Sequence, residues 1–212
     1  MNLKESYEQI LAMEMIEQLK TRQMNGYYCH NKTEVQDTVS KLTANDSIIS
    51  YGGSMTLNEL DIIDMFKKKN EITLLDRDNC QNKEEINTLY HNALSSDTYL
   101  MSTNAITRDG QLFNIDGNGN RVAALIYGPK QVIVICGMNK VVTNLDEAMI
   151  RVRNTASPQN CIRLDKKTPC AATGNCHNCL SNDCICNQMV TTRRSGIPGR
   201  IKVILVAGSY GY

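Results

Sequence analysis

With 212 residues and 42% hydrophobic side chains, the chain is long enough for one large domain with its own core. No stretch approaches the roughly 20 apolar residues of a membrane helix, and charges break up the opening MNLKESYEQILAMEMIEQLK where a signal peptide would be continuously apolar. A cytoplasmic protein is expected. The net charge of +1 hides an asymmetry: from Arg151 onward nine Lys/Arg oppose two acids, a local +7, which leaves −6 on residues 1–150.

A basic C-terminal quarter raises nucleic acid as a partner. Aromatics are only 5% of the chain, there is no Trp, and Tyr210 and Tyr212 are the only aromatics in that quarter. Base-stacking platforms are therefore poor, and neither nucleic acid nor membrane is expected as a partner. The positive charge has a local reading instead, because clustered cations stabilise clustered thiolates.

The first segment reads as helix, with Leu3, Tyr7, Leu11, Met15 and Leu19 in an i+4 row and Asn25-Gly26 as its stop. GYYCH is a short extended piece. Thr33-Glu34-Val35-Gln36 suggests a capping box opening a second helix, with Val35, Val39 and Leu42 on one face. Residues 47–51 read as a buried strand, Gly52-Gly53-Ser54 as a tight turn, and Met55 to Lys68 as one helix. EITLLD is a strand, 82–94 a helix and 97–102 a third strand. AITRDGQLFNID alternates apolar and polar residues around Asp109-Gly110, a hairpin signal. GNGNRVAALIYG is a glycine-rich loop entering a helix. QVIVICG (131–137) is a continuous apolar run of the kind a covered sheet needs. A helix at 144–154 follows, then a cysteine-rich segment, then a last strand at 200–208. Strands alternating with helices argue for an α/β class with a mostly parallel sheet flanked by helices. The domain organisation expected is a single domain over 1–212, with an N-terminal helical segment (1–45) and a cysteine-rich insertion (168–190).

A strand, a Gly-Gly-Ser turn and a helix start can bind an anion through free backbone N–H groups. Gly52 and Gly53 allow close approach, Ser54 and Thr56 offer hydroxyls, and Glu59 lies on the same first helical turns. The spacing is neither a Walker loop nor a dinucleotide fingerprint. The alternative is a plain bend with Ser54 as N-cap. In NIDGNGNRVAA, Asp116, Asn118, Asn120 and Arg121 surround Gly117 and Gly119. The EF-hand pattern fails there, since the later bidentate Glu is absent and Arg121 brings positive charge. Arg121 at such a turn suits a carboxylate or phosphate. The alternative is that the Asp and Asn side chains satisfy their own turn amides while Arg121 pairs with Asp116.

YGGSMTLNE, STNAITRDGQLFNIDGNGNRVAALIYGP, VIVICGMNK, TPCAATGNC and RIKVILVAG together resemble the lactate-utilisation, or LUD-domain, family, formerly a domain of unknown function. The likeness spans nearly the whole chain and is weakest before Thr33. It implies an α/β fold like that of NagB, RpiA and CoA transferases, a link to oxidation of L-lactate to pyruvate, and an iron–sulfur redox subunit as partner. The two glycine turns point to a small anionic metabolite or a phosphate-containing molecule as ligand, with Asn104 added to them as a binding residue. Homodimer formation is left open. The cysteine cluster resembles a short branch of the family, in which a basic residue often stands where Cys184 is here.

Five of the nine cysteines fall between Cys170 and Cys186. Cys170-x5-Cys176-x2-Cys179-x6-Cys186 supplies four thiols for a tetrahedral metal or a four-iron cluster, with Cys184 to spare. A segment so poor in apolar residues cannot fold on its own core, and ligation would supply the folding energy, on the order of 10–16 kcal/mol for structural zinc in small peptides. The spacing matches neither a zinc ribbon nor a ferredoxin run, and His177 is a conceivable substitute ligand. The resemblance to redox proteins favours an iron–sulfur cluster slightly over zinc; free thiols or disulfides are the metal-free alternative. Cys29, Cys80, Cys136 and Cys161 read as small core hydrophobes, and His30 and His91, both isolated, are assigned no role.

Three functions follow. The first is a lactate-utilisation redox protein with an anion cleft and a metal-binding segment. A second is a CoA-transferase-like or sugar-phosphate-isomerase-like enzyme using Glu59 or Asp116 as nucleophile or acid/base. The third is a non-catalytic binding subunit with a structural metal.

Overall fold

A computed structural model describes residues 3–212. Helix α1 (Leu3–Thr21) leads into strand β1 (Asn25–Cys29). Gln23, left-handed at φ 58°, makes the turn, so Asn25-Gly26 enters the strand rather than stopping the helix. A Cβ on Gly26 would meet Ile16 Cγ1 at 2.8 Å, so glycine lets helix and strand approach closely. The buried stripe of α1 is Ala12, Met15, Ile16 and Leu19; Leu3 and Tyr7 of the expected row stay exposed. Helix α2 (Lys32–Leu42) is capped by Asn31 rather than Thr33: Asn31 Oδ1 accepts from Glu34 N at 3.0 Å, and Glu34 Oε2 accepts from His30 N at 2.8 Å.

Strand β2 (Ile48–Tyr51) ends at the Gly52-Gly53 turn. The helix expected over 55–68 is two, α3 (Met55–Glu59) and α4 (Ile62–Lys67), because Asp61 takes φ 52° and breaks the ladder between them. Strand β3 (Thr73–Leu75), helix α5 (Lys83–Ala93) and strand β4 (Thr98–Met101) follow, then β5 (Ala105–Thr107) and β6 (Leu112–Asp116), paired antiparallel as the hairpin signal suggests. Helix α6 (Asn120–Ile126), strand β7 (Gln131–Gly137), strand β8 (Val141–Val142) and helix α7 (Leu145–Arg151) come next. Rather than stopping near 154, α7 continues through a π-helical turn at Val152–Ala156 into α8 (Ser157–Arg163). Helix α9 (Pro169–Thr173), strand β9 (Gln188–Thr192) and strand β10 (Ile201–Val206) complete the chain.

Six strands form one all-parallel sheet in the order β1-β10-β7-β4-β2-β3. Alternate residues of β7 serve opposite faces. Val132, Val134 and Cys136 pack with Met15 and Leu19 of α1 and Leu125 of α6, whereas Ile133 and Ile135 pack with Val35 of α2, Leu57 of α3 and Phe66 of α4. Covering both faces explains the continuous apolar runs, each fully buried Val or Ile contributing about 1.5–3 kcal/mol. Arg200 closes the end of α6, donating to the carbonyls of Ala124, Leu125 and Pro129 at 2.8, 2.7 and 2.9 Å.

A second sheet, β8-β5-β6-β9, sits under α7 and the π-helical turn, with Ala105, Phe113 and Ile115 packed on Ala148 and Val152. Strand β9 is not evident from the pattern. It pairs antiparallel with β6 from Asp116↔Gln188 to Leu112↔Thr192. The cysteine segment is therefore a loop fastened at both ends, by α9 and by this sheet. Among the described residues, no helix is long and apolar enough to cross a membrane.

Candidate functional site

All strands of the six-stranded sheet run the same way, so the loops at their carboxyl ends collect along one edge. A cleft with three lobes opens there. The outer lobe, about 380 Å³, lies between the Gly52-Gly53 turn, the Asp116–Arg121 loop and the cysteine segment. A second, about 270 Å³, runs beside α4, and an inner one, about 70 Å³, reaches under Ser102 and Asn104 to Lys140. Gly53 and Arg163 border all three.

The two glycine turns predicted from the sequence thus face one cavity. Gly52, Gly53, Asp116, Gly117, Asn120 and Arg121 border the outer lobe, and Ser54, Thr56 and Asn104 the inner one. Gly119 is left-handed at φ 84° and caps α6. Their side chains are largely committed to one another. Ser54 Oγ caps α3 by accepting from Leu57 N. Thr56 Oγ1 donates to Tyr210 O at 3.0 Å. The Asp116 carboxylate accepts from Asn118 N (3.1 Å), Gly119 N (3.0 Å) and Val122 N (3.2 Å), with Arg121 Nε 3.8 Å away.

Arg121 is a fastening rather than a free guanidinium. Its side chain is 14% exposed, and it donates to Ser102 O (3.2 Å), Asn114 Oδ1 (2.6 Å), Asn104 Oδ1 (2.9 Å) and Ile115 O (2.6 Å). It ties the loop after β4 to the end of β6. The glycines keep this neighbourhood open. A Cβ on Gly52 would lie 2.9 Å from Tyr99 Oη and 3.1 Å from Arg121 Cδ, and one on Gly53 would lie 2.8 Å from Arg77 Nη2. Glu59 borders none of the three lobes; its Oε2 accepts from Gly211 N at 2.7 Å.

Cationic groups reach the cleft from elements that local pattern did not mark. Arg77 follows β3, and Arg163 ends α8, where it donates to the neutral Asn160 Oδ1 at 3.1 and 2.7 Å and lies in hydrogen-bond range of the Tyr212 hydroxyl. Lys140 follows β7 and is 4% exposed. Its sole sequence signal is its place in VIVICGMNK, one of the segments carrying the family likeness.

The thiols gather in a separate cavity of about 90 Å³. Cys170, Cys176, Cys179 and Cys186 line it, as do Cys184 and, against expectation, Cys161 of α8. Cys161 is buried, as a core hydrophobe would be, but it faces the other sulfurs across this cavity because α8 lies beneath the segment. Burial pushes the thiols of Cys161 and Cys186 up to about 11, while the Ser181 hydroxyl draws Cys179 down. Donors aim at sulfur: Arg153 Nε (3.2 Å) and Asn178 N (3.4 Å) at Cys176, and Cys186 N (3.4 Å) at Cys184. Such bonds favour thiolates and tune clusters. The donor chemistry suits a thiophilic metal, although no three His, Cys, Asp or Glu side chains stand close enough to enclose an ion among the described residues. Cys184 and Ile185 line both this cavity and the outer lobe, so the two sites share a wall.

No curated protein matches the chain. The solved structure of a DUF162 family protein from Deinococcus radiodurans aligns with 98% of this chain and 100% of its own, at 14% identity and a TM-score of 0.49. The LUD domain model matches residues 12–206, nearly the whole length and the segments quoted above up to Val206, and the chain belongs to the LUD-domain family.

Proposed function

We propose that this protein, of lactate-utilisation type in the general sense its family carries, binds a small carboxylate or phosphate metabolite in the three-lobed cleft. In this reading the neighbouring cysteine segment holds a metal, an iron–sulfur cluster in preference to zinc. The observation that carries the anion is the charge of the cleft. The inner lobe is lined by Arg121, Lys140 and Arg163, with no Asp or Glu among the described residues. The outer lobe adds Arg77 and Lys166 against Asp116, engaged by three backbone amides, and Asp183, which faces Lys166. The lobe beside α4, by contrast, carries Asp61, Asp64 and Asp78. Arg163 at the junction of the lobes has no carboxylate partner among the described residues and borders all three. The metal reading is supported by the common cavity of the thiols and the N–H groups directed at Cys176 and Cys184. The acid/base alternative has less support, since Glu59 and Asp116 are both bound to backbone N–H groups.

Calorimetric titration with phosphate and with L-lactate tests the cleft. A charge-assisted hydrogen bond of about 1.5–3 kcal/mol makes Arg163→Gln weaken the better ligand roughly 10- to 100-fold. Absence of heat with either anion, or equal affinity in the variant, removes the reading. For the metal, protein purified anaerobically is expected to lose bound iron or zinc in both Cys176→Ser and Cys179→Ser. Unchanged metal content and melting temperature in both would show the ligand assignment to be wrong.

A further inference from the structure

Lys140 sits in the 3-10 turn (Met138–Lys140) that follows β7, and its Nζ donates to two hydroxyls, Thr56 Oγ1 at 2.8 Å and Ser102 Oγ at 3.0 Å. No carboxylate belongs to that set, which is unusual for a buried ammonium. The ionisable groups facing it are Cys136 of β7, Arg151 of α7, Arg121 of α6 and Glu59 of α3. Two of these are guanidinium groups, and Glu59 is held by Gly211 N. Burial, and behind it Arg151 and Arg121, bring the Lys140 amine down to about 8, where a useful fraction is neutral near physiological pH. Lys140 nevertheless borders the inner lobe, together with the Thr56 and Ser102 that its nitrogen contacts.

We propose that Lys140 is a carbonyl-reactive amine and that the inner lobe receives the oxo group of a small 2-oxo acid, with the carboxylate toward Arg163. The inference rests on the anion cleft for the carboxylate and adds the chemistry of the oxo group. The neutral Nζ forms a bond to the carbonyl carbon as the C=O π pair moves to oxygen. A proton passes from nitrogen to that oxygen, for which the Thr56 and Ser102 hydroxyls are in hydrogen-bond range of Nζ. The carbinolamine then loses its hydroxyl, with a second nitrogen proton, as water. Amine plus carbonyl gives imine plus water, with no oxidant or reductant. The inner lobe is narrow, so glyoxylate and pyruvate, the two smallest 2-oxo acids, are the probes.

The full-length protein is incubated with each acid and sodium borohydride, which adds hydride to an imine carbon and leaves a stable secondary amine. Intact mass and peptide mapping then locate the adduct. One adduct per chain, on Lys140, is expected, reduced at least 10-fold by excess phosphate and absent from Lys140→Arg, which keeps the charge without a condensing amine. Should Lys140→Arg not fold, the mapping and the phosphate competition on the natural chain decide alone. Labelling spread over exposed lysines, or an adduct unaffected by phosphate, overturns the proposal. So does the absence of any adduct; in that case heat from phosphate or lactate would leave the anion cleft standing, whereas no heat would remove both.

Discussion

Arg121→Gln removes the fork that ties the loop after β4 to the end of β6. Four hydrogen bonds from a charged donor are lost, each contributing about 1.5–3 kcal/mol, a ceiling of about 6–12 kcal/mol. Three effects reduce it. A largely buried guanidinium no longer has to be desolvated, its repulsion with Lys140 disappears, and the glutamine amide can keep one or two of the bonds. A net loss of about 3–5 kcal/mol follows. For a chain of this size that lowers the melting temperature by roughly 6–20 °C. Calorimetry on both proteins measures the shift, and hydrogen exchange should show protection falling first at 102–105 and 114–117. Arg121→Lys should lose nearly as much, because a point charge cannot reach four acceptors spread over two loops. A drop under about 3 °C for either variant, outside the range just derived, would show that the cleft wall stands without this side chain.

Burial also predicts how stability varies with pH. The Lys140 amine is near 8 in the folded chain, against an ordinary value of 10.5. Between these values the unfolded chain binds more protons, so this group adds stability as pH rises from about 8 to 10.5 and loses it as pH falls back through 8. Urea midpoints of the natural chain relative to Lys140→Met should therefore improve across that window; a constant difference would contradict the burial. Gly53→Ala places a methyl against the movable end of Arg77. It should cost less than about 1 kcal/mol of stability while weakening phosphate binding several-fold by titration; unchanged affinity would show that the Arg77 guanidinium is not part of the anion site.

The central strands of the six-stranded sheet are legible in the sequence because they are buried on both faces, and burial demands an uninterrupted apolar run. QVIVICG and RIKVILVAG announce themselves in that way. The hairpin at Asp109-Gly110 and the two glycine turns are legible for a similar reason, since their backbone requirements are local. The break between α3 and α4 was hidden, because the left-handed turn is made by Asp61 rather than glycine. Strand β9 was hidden as well: its residues are exposed or half-buried, and it owes its extended form to pairing with β6.

The site divides along the same line. Sequence alone determined which residues would be glycines at tight turns and which thiols would be clustered, because both are written in adjacent positions. Only the tertiary structure decided that both glycine turns face one cleft. It also brought Arg77, Arg163 and Lys140 to the same edge from the ends of separate elements, and placed Cys161 opposite thiols nine or more positions away in the chain. Parallel strands gather their carboxyl ends whatever the distance between them in sequence, so the charge of the cleft is a property of sheet order, which no local pattern encodes.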